Sequence, residues 1–483
     1  MNIYIKNIKE VKCVCDALVL PFIEGKSGLY DSLGTATAKL IKRVFGKEFN
    51  GKNKEVLCIP APESLKAERL VLVGLGKKKE IFPEHVRQAG GKTAQAVRDS
   101  GMKKIGLSTN VLSSLKISPA EFIEGFLLGL YTFDKYRDTK DRKLFDKFIL
   151  LSKGSKNLKD EFLRTKTIAS SVWFVRDLIN TPANDMTPTH LAQVALSLQK
   201  PPLSVRILEK RDVQKLGMGA YLSVAKGSKE PPKFIILEYN GSKGAALVFI
   251  GKSITFDSGG LSLKPPDGME RMKDDMAGGA TVLGIIKTVS ELQLPVRLIG
   301  ILPATENLPG GSATRPGDVV RAVNGKTIEI INTDAEGRLI LADAIGYAKR
   351  YKPRAIIDIA TLTGSCSIAL GSEAIAMMGN DTELMDKLRR AGDKTHERVW
   401  EMPLFQEYKE YLKSDIADIK NYGGKSGSLV ASAYFLYEFA GQVPWVHLDI
   451  AGTAWLEKEK PYMPKGASGI GVRLLVNFIE ELQ

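Results

Sequence analysis

The chain has 483 residues, 44% hydrophobic and 26% charged, the balance of a globular protein too long for one ordinary domain. Its net charge of +14 is uneven: residues 1–170 hold 32 Lys and Arg against 19 Asp and Glu, while residues 171–483 hold 37 against 36, which points to two domains with different surfaces. Four cysteines and four histidines, with no CxxC pair and no HExxH motif, exclude a disulfide scaffold and a zinc ribbon and leave carboxylates for any metal chemistry.

The N-terminal MNIYIKNIKE lacks the apolar core of a signal peptide, and no apolar run reaches the ~18 residues of a membrane span, so a cytoplasmic location is expected. ALVLP (17–21), RLVLVGLG (69–76), KIGLST (104–109) and FILLS (148–152) read as short buried strands, and 83–99 and 119–135 as helices. The spacing predicts an α/β domain on a mainly parallel sheet over 1–160, with DKYRDTKDRK (134–143) as an exposed connection. A linker helix follows over 161–180, then the turn-rich NTPANDMTP (180–188). Residues 181–483 form a larger α/β domain with a central mixed sheet. Its strands are FIILEYN (234–240), AALVFIGK (245–252), VRLIGIL (296–302), TIEIIN (327–332) and AIIDIATL (355–362). Its helices are 276–292, 337–350 and 428–440.

Charged residues stand where these strands end, the edge at which open α/β sheets gather ligands. GKSITFDSGGLSLK (251–264) places Lys252, Asp257 and Lys264 around a Ser/Gly turn. RMKDDMAGGA (271–280) places Asp274 and Asp275 before a helix, and NTDAEGRL (332–339) places Asp334, Glu336 and Arg338 at another helix start. Taken singly, each is explained by a helix cap, a dipole partner or a turn. Together, Asp257, Asp275, Asp334 and Glu336 would repel one another unless cations neutralise them, and two divalent ions sharing a water do so. A lysine joins such a site only as the neutral amine, whereas a protonated one stabilises an oxyanion.

At these motifs the sequence resembles the leucyl aminopeptidase family, the cytosolic dimetal aminopeptidases of peptidase family M17. DLINTPANDMTP (177–188) and DIATLTG (358–364) are similar to further family segments, so that the match runs over roughly 170–475. The resemblance implies hydrolysis of an N-terminal residue, Leu or another apolar one, with a metal-bridging hydroxide as nucleophile. It implies Lys252, Asp257, Asp275, Asp334 and Glu336 as ligands of two Zn or Mn ions, and Lys264 and Arg338 as catalytic. A bicarbonate would sit beside Arg338, cradled around Ala335, Gly337 and Leu362, with Met272, Asn332, Thr361 and Gly364 near the substrate. It also implies a homohexamer. Three positions depart from the family pattern or draw notice: Ser253 replaces a usual glycine, Asp274 adds an acid beside Asp275, and Cys366, after TLTG, is a small buried residue or a thiol-sensitive one.

Two other readings are kept. Carboxylate-rich dimetal sites also serve phosphoesterases, although the motifs argue for peptide chemistry. The basic first domain suits non-specific DNA binding, either beside catalysis or in its place, yet lysines also merely keep a surface soluble, and no RNP sequence or zinc finger is present.

Overall fold

The computed structural model describes residues 2–138, 145–152 and 156–482. The chain divides into two compact units: Met1–Ser170 with Glu457–Lys465, and Ser171–Leu456 with Gly466–Gln483.

The first unit is built on six strands: β1 Asn2–Lys6, β2 Cys15–Phe22, β3 Val56–Pro60, β4 Ala67–Gly74, β5 Lys104–Ser108 and β6 Lys147–Leu151. They lie in the order β1-β6-β5-β2-β4-β3, all parallel except edge strand β3. The central β2 is buried along nearly its whole length, as an apolar run covered on both faces must be. Helices Pro83–Ser100 and Pro119–Gly129 each begin with a proline in the first turn, where a missing N–H costs nothing. The second was expected to reach residue 135 but ends at Gly129, before the β-branched and aromatic run Tyr131–Thr132–Phe133. Between these helices the buried Arg87 guanidinium binds Glu84 at 2.5 Å, Glu124 at 2.6 Å and Glu121. Tyr462, from the returning segment, donates its hydroxyl to Glu84 at 2.9 Å. Of the basic connection, Lys135–Asp138 is exposed and 139–143 lies outside the described residues.

The second unit contains β7 Leu203–Leu208, β8 Lys233–Asn240, β9 Leu247–Gly251, β10 Ser253–Asp257, β11 Arg297–Asn307, β12 Val319–Arg321, β13 Thr327–Glu329, β14 Ala355–Ala360, β15 Ile375–Gly379, β16 Val399–Glu401, β17 Ile419–Lys420 and β18 Trp445–Asp449. Nine form a mixed sheet, β16-β15-β18-β14-β9-β11-β8-β7 with β10 beside β11, and β12-β13-β17 make a small second sheet. β9, β14 and β18 are buried at every residue. Helices Ala277–Leu292 and Gly337–Ala348 are buried along most of their length, which explains why their sequences carry so few charges. The protein is therefore α/β, a six-stranded domain followed by a larger nine-stranded one. The strand expected over 327–332 stops at Glu329, because Asn421 Oδ1 accepts the N–H groups of Ile331 (2.8 Å) and Asn332 (3.3 Å) and turns the chain away. No helix among the described residues is long and apolar enough to cross a membrane.

Candidate active site

Strands β18, β14, β9, β11 and β10 run parallel to one another, so their carboxyl ends share one edge of the sheet. There stand Lys252, Asp257, Asn307, Thr361 and Asp449. Two features let the neighbouring loops converge on this edge. Gly259 and Gly260 have φ of +86° and +64°, a left-handed pair that turns the chain so that Lys264 N–H donates to Ser258 O at 2.9 Å. The opening of helix Ala277–Leu292 lies directly on the strand ends: a Cβ on Gly278 would meet Ile359 O at 2.0 Å.

Two lysines, Lys252 buried and Lys264 half-buried, organise four carboxylates. Lys252 Nζ lies 2.7 Å from Asp275 Oδ1 and 2.7 Å from Glu336 Oε1, and donates to Thr361 O at 3.0 Å. Lys264 Nζ lies 2.9 Å from Asp257 Oδ2 and also pairs with Asp334. One ligand atom from each of Asp257, Asp334 and Glu336 falls within 4.8 Å of the other two. The three motifs are sewn together around them. Asn307 Nδ2 donates to Asp257 Oδ1 (2.8 Å) and to Thr333 O (3.0 Å). Thr333 Oγ1 donates to Gly259 O (2.7 Å) and accepts from Ser262 N–H (2.8 Å).

The electrostatics follow from burial. Desolvation pushes Asp257 up to about 6, with Glu336 adding to it, and holds Asp275 well above the carboxylate range. Asp334 is raised by burial and by Glu336. Glu336 is lowered, because Lys252 and Lys264 outweigh its burial. For both lysines burial opposes the charge, but the acids prevail: Asp275 and Glu336 hold Lys252 above its ordinary value, Asp257 and Glu336 hold Lys264 there.

Four acids against two lysines leave the cluster short of positive charge. Asp275 Oδ2 is buried and has no hydrogen-bond partner among the described residues. An oxygen-rich, anionic, partly unsatisfied donor set suits hard or borderline divalent cations.

The remaining expected residues are distributed as follows. Arg338 is buried; its Nη1 donates to Asn421 O at 2.8 Å, while its Nε has no partner among the described residues. Burial pulls this guanidinium down to about 10. Ala335 N–H is taken by Asn332 O at 3.2 Å and Leu362 N–H by Asp449 Oδ1 at 3.2 Å, so of the three cradle residues Gly337 alone keeps its amide from those two acceptors. Thr361 Oγ1 donates to Asp275 Oδ1 at 2.7 Å. Met272, Asn332 and Thr361 are half-buried at the rim, and Gly364 is exposed. Asp274 turns from the cluster toward Arg271 (3.7 Å), and burial pushes it up to about 6. Ser253 is buried, its hydroxyl donating to Gly251 O at 2.8 Å. Cys366 is buried, its Sγ 3.5 Å from Asp449 O, and desolvation pushes the thiol up to about 12, the setting of an unreactive core residue.

Sequence reasoning missed Asn307, Asn421 and Asp449. Asn307 and Asp449 each end a buried apolar strand, the same signal that marks Asp257. Asn421 lies in an ordinary loop and carries no such mark.

Residues 173–476 match the model of the cytosol aminopeptidase family catalytic domain, and residues 25–140 that of the family's N-terminal domain. A probable cytosol aminopeptidase of Geotalea uraniireducens (strain Rf4) is 46% identical over 98% of this chain and 98% of its own. The cytosol aminopeptidase of Pseudomonas aeruginosa PAO1 is 40% identical over 100% and 99%. Among solved structures, the bottromycin maturation enzyme BotP, seen also in complex with Mn, superposes with a TM-score of 0.86 at 30% identity, over 97% of this chain and 99% of that one.

Proposed function

Since the chain belongs to the cytosol aminopeptidase family, peptidase M17, and is an aminopeptidase, we propose that it is a metal-dependent leucyl aminopeptidase that removes Leu or another apolar residue from the N-terminus of peptides. The observation that carries this reading is the convergence of Asp257, Asp275, Asp334 and Glu336, three of them buried and Asp334 half-buried, around Lys252 and Lys264.

Lys252, Asp257, Asp275, Asp334 and Glu336 would hold two divalent ions, Zn²⁺ or Mn²⁺, with Lys252 surrendering its proton as they bind. When bound, such ions supply an activated water, polarise the scissile carbonyl and recognise a free α-amine. Lys264, kept protonated by its carboxylate neighbours, donates to the oxyanion of the tetrahedral state. Arg338, buried with an unpartnered Nε, would hold a bicarbonate, whose chemistry is that of a proton acceptor and donor. Gly337 N–H assists it, because Ala335 and Leu362 donate elsewhere. Met272, half-buried, would border the site of the first side chain; one methylene in an apolar site is worth only about 1–3 kcal/mol, which makes for broad preference.

The test is cleavage of leucine p-nitroanilide and of its N-acetyl form, after chelation and after addition of Zn²⁺ or Mn²⁺. Metal-restored cleavage of the free amine alone is the expected result. Equal cleavage of both forms would remove the amine from the site, and hydrolysis of a phenyl phosphate alone would make the protein a phosphoesterase.

A further inference from the structure

Behind the cluster lies a second polar group that the proposed chemistry does not use. In β14 and β18, Asp358 is paired in register with His447, and Ala360 with Asp449. Alternation along a strand puts Trp445, His447 and Asp449 on one face. Trp445, Asp358, His447 and Asp449 are all 0% exposed. Asp358 Oδ1 lies 2.5 Å from His447 Nδ1, and its Oδ2 accepts from Trp445 Nε1 at 2.7 Å. Asp449 Oδ1 accepts from Leu362 N–H (3.2 Å) and Ala451 N–H (3.1 Å), and its Oδ2 from Thr363 Oγ1 (2.7 Å). Burial works against the Asp449 charge, and His447 is the foremost group opposing that.

Two carboxylates and an imidazole in a sheet core are a poor way to gain stability, since apolar residues of similar volume serve as well or better. What these groups do accomplish is local. Asp449 fixes Leu362 and Thr363, and the adjoining Thr361 gives its carbonyl to Lys252 and its hydroxyl to Asp275. We propose that Asp449, through its bonds to Leu362 N–H and Thr363 Oγ1, is a positioning residue that holds the Thr361–Gly364 loop against the catalytic cluster. The proposal rests on reading that loop as the substrate side of an aminopeptidase site.

The experiment is steady-state kinetics on leucine p-nitroanilide with Asp449→Asn, Thr363→Val and Thr363→Ser, each with metal content and far-ultraviolet circular dichroism. Loss of stability alone lowers the active fraction, and so kcat, at an unchanged KM. A loosened loop raises KM as well, and a misplacement of ~1 Å costs up to about 100-fold. Asp449→Asn is expected to lower kcat/KM about 10- to 100-fold with KM raised and metal retained. Thr363→Val is expected to raise KM about 3- to 10-fold, and Thr363→Ser, which keeps the hydroxyl, to restore it. An unchanged KM in Thr363→Val overturns the proposal, even if Asp449→Asn fails to fold. A wild-type enzyme inactive on the substrate overturns the aminopeptidase reading instead, which separates the two failures.

Discussion

Lys252 and Lys264 show how two residues of one type acquire different tasks from their surroundings. Lys252 is 3% exposed between Asp275 and Glu336, whereas the Lys264 side chain is 21% exposed and faces Asp257 and Asp334. Lys264→Met should therefore leave metal content unchanged and lower kcat about 10²- to 10³-fold, the effect of removing an oxyanion donor. Glu336→Ala should abolish activity and lose metal together, measured by kinetics and elemental analysis on the same sample; full activity with normal metal content would sink the ligand assignment. The six charged residues of the cluster were legible because short motifs bring acids and lysines to strand ends. Asn307, Asn421 and Asp449 were not, because their partners lie 26 to 90 positions away and a single amide or acid, even at a strand end, stands in no motif with other charged residues.

At the scale of elements, apolar runs bounded by glycine and charge located the central strands and helices well. They failed where tertiary partners override local preference, as when Asn421 captures Ile331 and Asn332 and cuts β13 short. β18 was overlooked because His447 and Asp449 break its apolar run, although it is buried at every residue. The close seating of helix Ala277–Leu292 gives a direct test. Gly278→Ala would press a methyl against the Ile359 carbonyl and should cost about 1–3 kcal/mol in urea unfolding. Gly311→Ala meets nothing within 4 Å and should be close to neutral.

Across the whole molecule, buried acids outside the cluster tie stability to pH. Asp343 is fully buried and accepts from the N–H groups of Tyr221 (2.8 Å) and Val323 (2.7 Å); burial nonetheless pushes it up to about 7. A carboxyl raised in the folded state binds its proton more tightly there than when unfolded. Its contribution is complete below the ordinary value near 4 and is lost as pH rises toward about 7, at no more than about 1.4 kcal/mol per pH unit. Urea unfolding of the metal-free protein should show this decline, and Asp343→Asn should flatten it. Parallel slopes in the two proteins would contradict the assignment. The α/β class and the presence of two differently charged regions were readable from composition and alternation. The return of Glu457–Lys465 to the first unit was not, since nothing local marks a segment for a partner more than 300 residues away.

That return has a consequence for synthesis. Most of the first unit is translated ahead of the second, yet Tyr462, which donates to Glu84, and Pro461, whose carbonyl abuts Gly91, follow Ser170 by about 290 residues. At ~5–20 residues per second, roughly 15–60 s separate translation of Ser170 from that of Lys465. During that interval the nascent domain lacks the piece that covers its buried Glu84–Arg87 pair. A ribosome-arrested chain of residues 1–170 should accordingly be more open to protease than the same residues in the finished protein.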